Sequence, residues 1–153
     1  MYVLYKRDFT LASSALGSTA PDIEISSLGP LHLATIPKTL FSMVTPEVKD
    51  ILKNKSHVKS VALFGIEVSR TRFHRKPAAS FQTVSGQAHV CVLQTALDLI
   101  DLGYNVHLIA DGVSSCNIEE VPIALNRIRQ AGGQITTSES VAFQLQRKLR
   151  HYL

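Results

Sequence analysis

Tryptophan is absent from this chain of 153 residues, and cysteine and methionine occur only twice each. Two cysteines are too few for a disulfide framework, so Cys91 and Cys116 read as free thiols. No apolar run approaches the roughly 18 residues that a membrane-spanning helix needs. The opening "MYVLYKRDFT" has too short an apolar run for a signal peptide and carries its charges after that run. A soluble, cytoplasmic protein with no membrane partner is expected. The phosphate-cradling and nucleophile-elbow patterns are missing too: there is no Walker loop, no GxGxxG and no GxSxG. The histidines, His74 and His107 among them, show no paired ligand spacing, so neither a metal nor a cofactor is expected.

Acidic residues are missing from one place in particular. Segment 68–87 contains Arg70, Arg72, Arg75 and Lys76 and no Asp or Glu, and so accounts for the whole formal charge of +4. The rest of the chain is neutral, with hydrophobic residues at 45% and charged residues at 18% of the total, an ordinary globular balance. At this length one domain, spanning 1–153, can bury about two-thirds of its unfolded surface. "SRTRFHRK" can touch RNA phosphates, but a solvated loop accounts for it more simply, and nucleic-acid binding is not expected.

What is present is an alternation of short apolar runs and amphipathic stretches. "MYVLY" reads as a strand, 11–30 as a long loop rich in Ser, Gly and Pro, and "LHLATI" as a strand. A helix is expected from Pro46, with Thr45 as its N-cap and Glu47 at the positive end of its dipole. "VKSVALFGI" is the continuous apolar run of a strand covered on both faces. Val92, Leu93, Ala96, Leu97, Leu99 and Ile100 give helical spacing up to Gly103. "YNVHLIAD" reads as a strand, and "IEEVPIALNRIRQAGG" as a helix with Pro122 in its first turn or bending it. "QITTSE" reads as a short strand and "SVAFQLQRKLRHYL" as a terminal helix. This order predicts a parallel α/β sheet with right-handed crossovers.

Parallel sheets place ligand sites at the carboxyl ends of their strands. Cys91 falls there, in the first turn of the helix after the 58–66 strand. A helix N-terminus favours a thiolate and offers N–H groups to a developing oxyanion. A nucleophile and a small buried hydrophobe both fit that position. His89 lies two residues away, a spacing at which helical side chains seldom face each other. Cys116, in a loop, is the weaker candidate.

With 68–87 removed, the junction reads "VALFGIE–AHVCVLQTALDLIDLGYNVHLIADGVSS". It resembles the core signature of isochorismatase-like cysteine hydrolases, particularly the eukaryotic isochorismatase domain-containing proteins. "ALGSTAPDIEI" (15–25), "IPKTLFSM" (36–43), "ALNRIRQAGG" (124–133) and "TTSE" (136–139) extend the resemblance. It implies a doubly wound, Rossmann-like α/β fold with helices on both faces of a parallel sheet, often in an oligomer. It also implies hydrolysis of C–N or ether bonds of small molecules by an Asp, a Lys and a Cys. By motif Lys38 matches the lysine and Cys91 the nucleophile, and the backbone N–H groups of Val90 and Cys91 would form the oxyanion hole.

The family aspartate closes a first, central strand that is followed by a helix and a second strand. Only six residues separate Asp8 from Ala15, too few for that helix and strand, so Asp8 is not matched to it. The chain thus reads as lacking the family's first strand and helix. An exposed sheet edge is expected in their place, with low stability, self-association or a protein partner as the consequence. Further departures from the family pattern are Cys116 after "SS", Glu120–Val121 in the next helix, and "QRKLRHYL" at the end. Without the aspartate, a weak or inactive hydrolase is expected on an unknown small-molecule substrate. The alternative is a non-catalytic binding or assembly protein. Segment 68–87 reads as an insertion within the domain, a retained intron or a disordered stretch; a lid over the site is the competing reading.

Overall fold

In a computed structural model, residues 2–5, 8–14, 24–65, 88–115 and 118–146 are described. Six strands form one sheet in the order β3-β2-β1-β4-β5-β6. They are β1 (Tyr2–Tyr5), β2 (Asp8–Ser14), β3 (His32–Lys38), β4 (Ser60–Gly65), β5 (Asn105–Val113) and β6 (Gln134–Thr136). The α-helices are α1 (Pro46–Asn54), α2 (Ala88–Asp101), α3 (Glu120–Gln130) and α4 (Ser138–Gln146). The insertion 68–87, Cys116 and the chain after Gln146 lie outside the described residues.

The expected α/β architecture is present. β4, β5 and β6 are parallel neighbours, as are β2 and β3, while β1 runs antiparallel to both β2 and β4. Five strands therefore share one direction. β1 occupies the centre, where the family resemblance implied a strand that this chain does not match. The reversal has a simple cause: two residues separate Tyr5 from Asp8, enough for a hairpin but far short of a parallel crossover. The centre of the sheet is filled rather than left as an edge.

The long loop expected over 11–30 is corrected at both ends. Residues 11–14 belong to β2, and Ile25–Leu31 forms 3₁₀ turns interrupted at Gly29, whose φ of 49° and ψ of −127° suit only glycine. The Ala12–Ser14 end of β2 has little intrinsic strand preference, but its backbone is paired with Ile36–Lys38 of β3. Tertiary context outweighs strand propensity here.

The core lies between the sheet and α2 and α3. Val61 and Leu63 of β4, Val106 and Leu108 of β5, Val92, Ala96 and Leu99 of α2, and Ala124 and Ile128 of α3 are all buried in one cluster. A smaller cluster, Ile36, Met43 and Val48, closes the end beneath α1. Thr45 caps α1 as expected, its hydroxyl accepting from the Val48 N–H at 3.4 Å. Pro122 is the third residue of α3 and so falls in the first turn.

The two core helices stop in the same way. Gly103 (φ 83°) and Gly132 (φ 98°) take left-handed backbone. Tyr104 N–H reaches back to the Leu99 carbonyl at 3.0 Å, and Gly133 N–H to the Ile128 carbonyl at 2.9 Å. Each is a Schellman closure that turns the chain straight into the next parallel strand.

Candidate active site

The direction of α2 follows from its ends. Its carboxyl end runs through the Gly103 turn directly into Asn105, which pairs with Ser60 at the amino end of β4. A helix of 14 residues rises about 21 Å. Its first turn, with Cys91 as fourth residue, therefore reaches towards the carboxyl edge of the sheet. Cys91 is a free, half-buried thiol there.

Lys38 is the last residue of β3 and pairs with Ser14, the last residue of β2. It stands at the same carboxyl edge. Its ammonium Nζ donates to the carbonyls of Leu40 and Phe41, both at 2.8 Å. The following loop curls around that ammonium, leaves Leu40 and Phe41 exposed, and then turns Met43 and Val44 into the core.

One buried hydroxyl joins these two parts. Thr95 is fully buried on α2, one turn after Cys91. Its Oγ1 donates to the Cys91 carbonyl at 2.7 Å and accepts the Met43 N–H at 2.8 Å. The Lys38 loop is thereby fastened to the helix turn that carries Cys91. Sequence reasoning missed Thr95, because a threonine in an apolar helix gives no sign of a partner 52 positions away.

A second polar tie lies at the end of β5. Asp111 accepts the Ser138 N–H through Oδ1 at 2.8 Å and the Ser138 hydroxyl through Oδ2, so it caps α4. The Ser138 hydroxyl, then the Ser138 N–H, hold this exposed carboxylate below its usual titration range. This cap also corrects the expected strand through Glu139: β6 stops at Thr136, and α4 begins at Ser138.

Asp8 is at the opposite end of the sheet from Lys38. It opens β2 opposite Tyr5, six residues before Ser14, a separation of about 20 Å along an extended strand. Among the described residues, no group of three or more His, Cys, Asp or Glu side chains is placed to hold a metal ion. Nor is any described helix long and apolar enough to cross a membrane.

An isochorismatase-domain profile matches residues 85–140, which run from the approach to α2 through the start of α4. The chain belongs to the isochorismatase-like family. It is 44% identical over 115 residues to isochorismatase family protein 1B of Dictyostelium discoideum, covering 74% of this chain and 46% of that one. Over 137 residues it is 40% identical to the secreted isochorismatase effector Isc1 of Phytophthora sojae, covering 89% and 56%. Among solved structures, it superposes on the MAR1 ribonuclease of Caenorhabditis elegans with a TM-score of 0.71 at 33% identity, covering 94% of this chain and 63% of that one. The chain thus spans about half the length of the curated isochorismatase relatives it matches.

Proposed function

We propose that this isochorismatase-like chain is a cysteine hydrolase domain acting on a C–N or ether bond of a small molecule, and that turnover by the 153 residues alone is weak. The observation that carries the reading is the tie between the Lys38 loop and the Cys91 turn at the carboxyl edge of the sheet. In this reading the Cys91 sulfur attacks an amide carbonyl carbon. The C–N bond breaks, the amine departs with a proton, and water hydrolyses the thioester to release the acid and restore the thiol. Val90 and Cys91 are the third and fourth residues of α2. The N–H groups of a helix's first turn lie at the positive end of its dipole and suit an oxyanion. Lys38 contributes positive charge beside a developing anion. As a cation it cannot accept the thiol proton, and no residue here matches the aspartate that would; lacking such a base costs about 10²–10⁴ in rate.

A non-catalytic binding or assembly role is the second reading, favoured by that same missing base. Self-association or a protein partner belongs to either reading, since β3 is an outer strand of the sheet and Leu40 and Phe41 stand exposed just beyond it. Release of ammonia from a panel of small primary amides, measured for the chain and for Cys91→Ala, tests the choice. Slow release that disappears in the variant is expected. Equal background rates in both, with Cys91 unreactive towards an electrophile, would establish the binding role.

A further inference from the structure

We propose that Thr95 is a positioning residue: through one buried hydroxyl it holds the Lys38 loop in register with the Cys91 turn. The proposal rests on reading Cys91 as the nucleophile and Lys38 as its partner. Hydrogen bonds at the two ends of one short loop, joined by the backbone from Phe41 to Met43, link those two residues. The Cys91 carbonyl accepts the Thr95 hydroxyl at 2.7 Å, and that hydroxyl accepts the Met43 N–H at 2.8 Å. Five residues back, the Lys38 ammonium is held by the Leu40 and Phe41 carbonyls of the same loop.

The burial of the parts gives the link its force. Thr95 is 0% exposed and Met43 1%, so water cannot replace either bond. A hydroxyl has one donor proton and two acceptor lone pairs; only Ser or Thr at this position serves both neighbours at once. Valine has the same shape and serves neither. A loop set free of α2 no longer holds Lys38 in fixed register with the Cys91 turn, and a displacement of about 1 Å at a reacting group is costly.

The test reads the thiol itself and needs no substrate. Iodoacetamide alkylation of Cys91 is followed at neutral pH by peptide mass mapping, so that Cys116 does not interfere. The full chain is compared with Thr95→Val, Thr95→Ser, Lys38→Met and the Thr95→Val/Lys38→Met double variant. Loss of the link is expected to slow Thr95→Val about fivefold to tenfold, the worth of about one buried hydrogen bond. Thr95→Ser is expected to restore the original rate, and the double variant to be no slower than Lys38→Met alone, the signature of coupled residues. A merely structural threonine would leave the Thr95→Val rate unchanged or let the two effects multiply, and either result overturns the proposal. If Cys91 reacts no faster in the folded chain than in urea, the nucleophile reading fails and the positioning role with it. A fast Cys91 indifferent to Thr95→Val removes the positioning role alone. Should Thr95→Val not fold, amide exchange at Met43 in the unaltered chain and in Lys38→Met decides. Faster exchange in Lys38→Met supports the link, and equal exchange overturns it.

Discussion

The two sides of the sheet are built by different means. From β4 onward, each strand is followed by a helix that packs back on the sheet, and one buried cluster joins Leu63, Leu99, Leu108 and Ile128. On the other side, β1, β2 and β3 are joined by backbone ladders, and the buried cluster among the described residues there is Ile36, Met43 and Val48. The larger described cluster ties the first side into one cooperative unit, and the smaller one around Ile36 offers less apolar burial against local opening at the β3–α1 end. The hydroxyl of Thr95 is the described side-chain bond that ties a loop of the second side to a helix of the first.

The sharpest way to break this comparison is to empty each cluster in turn. Leu108, 1% exposed, meets both core helices. Leu108→Ala is expected to cost about 2–5 kcal/mol in urea unfolding, and Ile36→Ala about 2 kcal/mol or less, since its small cluster relaxes more readily. Equal losses would show that the Ile36 cluster is packed as tightly as the larger one. Next comes the tie itself. Thr95→Val strands the buried Met43 N–H, and a loss of about 1–3 kcal/mol is expected in the same measurement. Thr95→Ser should recover most of it.

Smaller again is the helix stop at Gly132, where φ is 98° and nothing crowds a side chain. Gly132→Ala should lower stability by about 1 kcal/mol through backbone strain alone, read as a shift of Tm with unchanged near-ultraviolet dichroism. The smallest effect concerns Asp111. Its carboxyl titrates lower in the folded chain than the ordinary 3.8 because Ser138 donates to the charged form. The charged cap therefore stabilises the fold above that ordinary value, and the contribution is lost as pH falls through the lower, folded one. The protection of the Ser138 amide against exchange, relative to its intrinsic rate at each pH, should fall in acid, and Asp111→Asn should remove most of that pH dependence. Glu47, lowered by its Thr45 partner, titrates in the same direction, so the variant is needed to isolate Asp111.

The same division governs what could be read from the sequence. On the helix-covered side, "VKSVALFGI" announces a buried strand, and "DLGY" and "QAGG" announce helix stops, because apolar runs and left-handed glycines are local signals. On the hairpin side, the Ser- and Ala-rich end of β2 carries no such signal; it is a strand because β3 pairs with its backbone. Cys91 and Lys38 could be picked out by motif, and their shared edge follows from the parallel order. Thr95 and the Asp111–Ser138 cap could not be, since each depends on a partner brought close only by the fold, 52 and 27 positions away.

The central place of β1 also bears on the order in which the sheet assembles. Its contacts with β2 close almost at once along the chain, Tyr5 opposite Asp8, whereas its other side waits for Tyr2 to meet Phe64. Loop-closure entropy makes the first pairing fast and the second slow. The hairpin and the β4–α2–β5 unit can each form from nearby residues, and the seam between β1 and β4 is then the last ladder to zip. Until it does, the nascent chain presents two unpaired strand edges facing each other, and whatever protects them in that interval decides how much of the chain reaches the folded state.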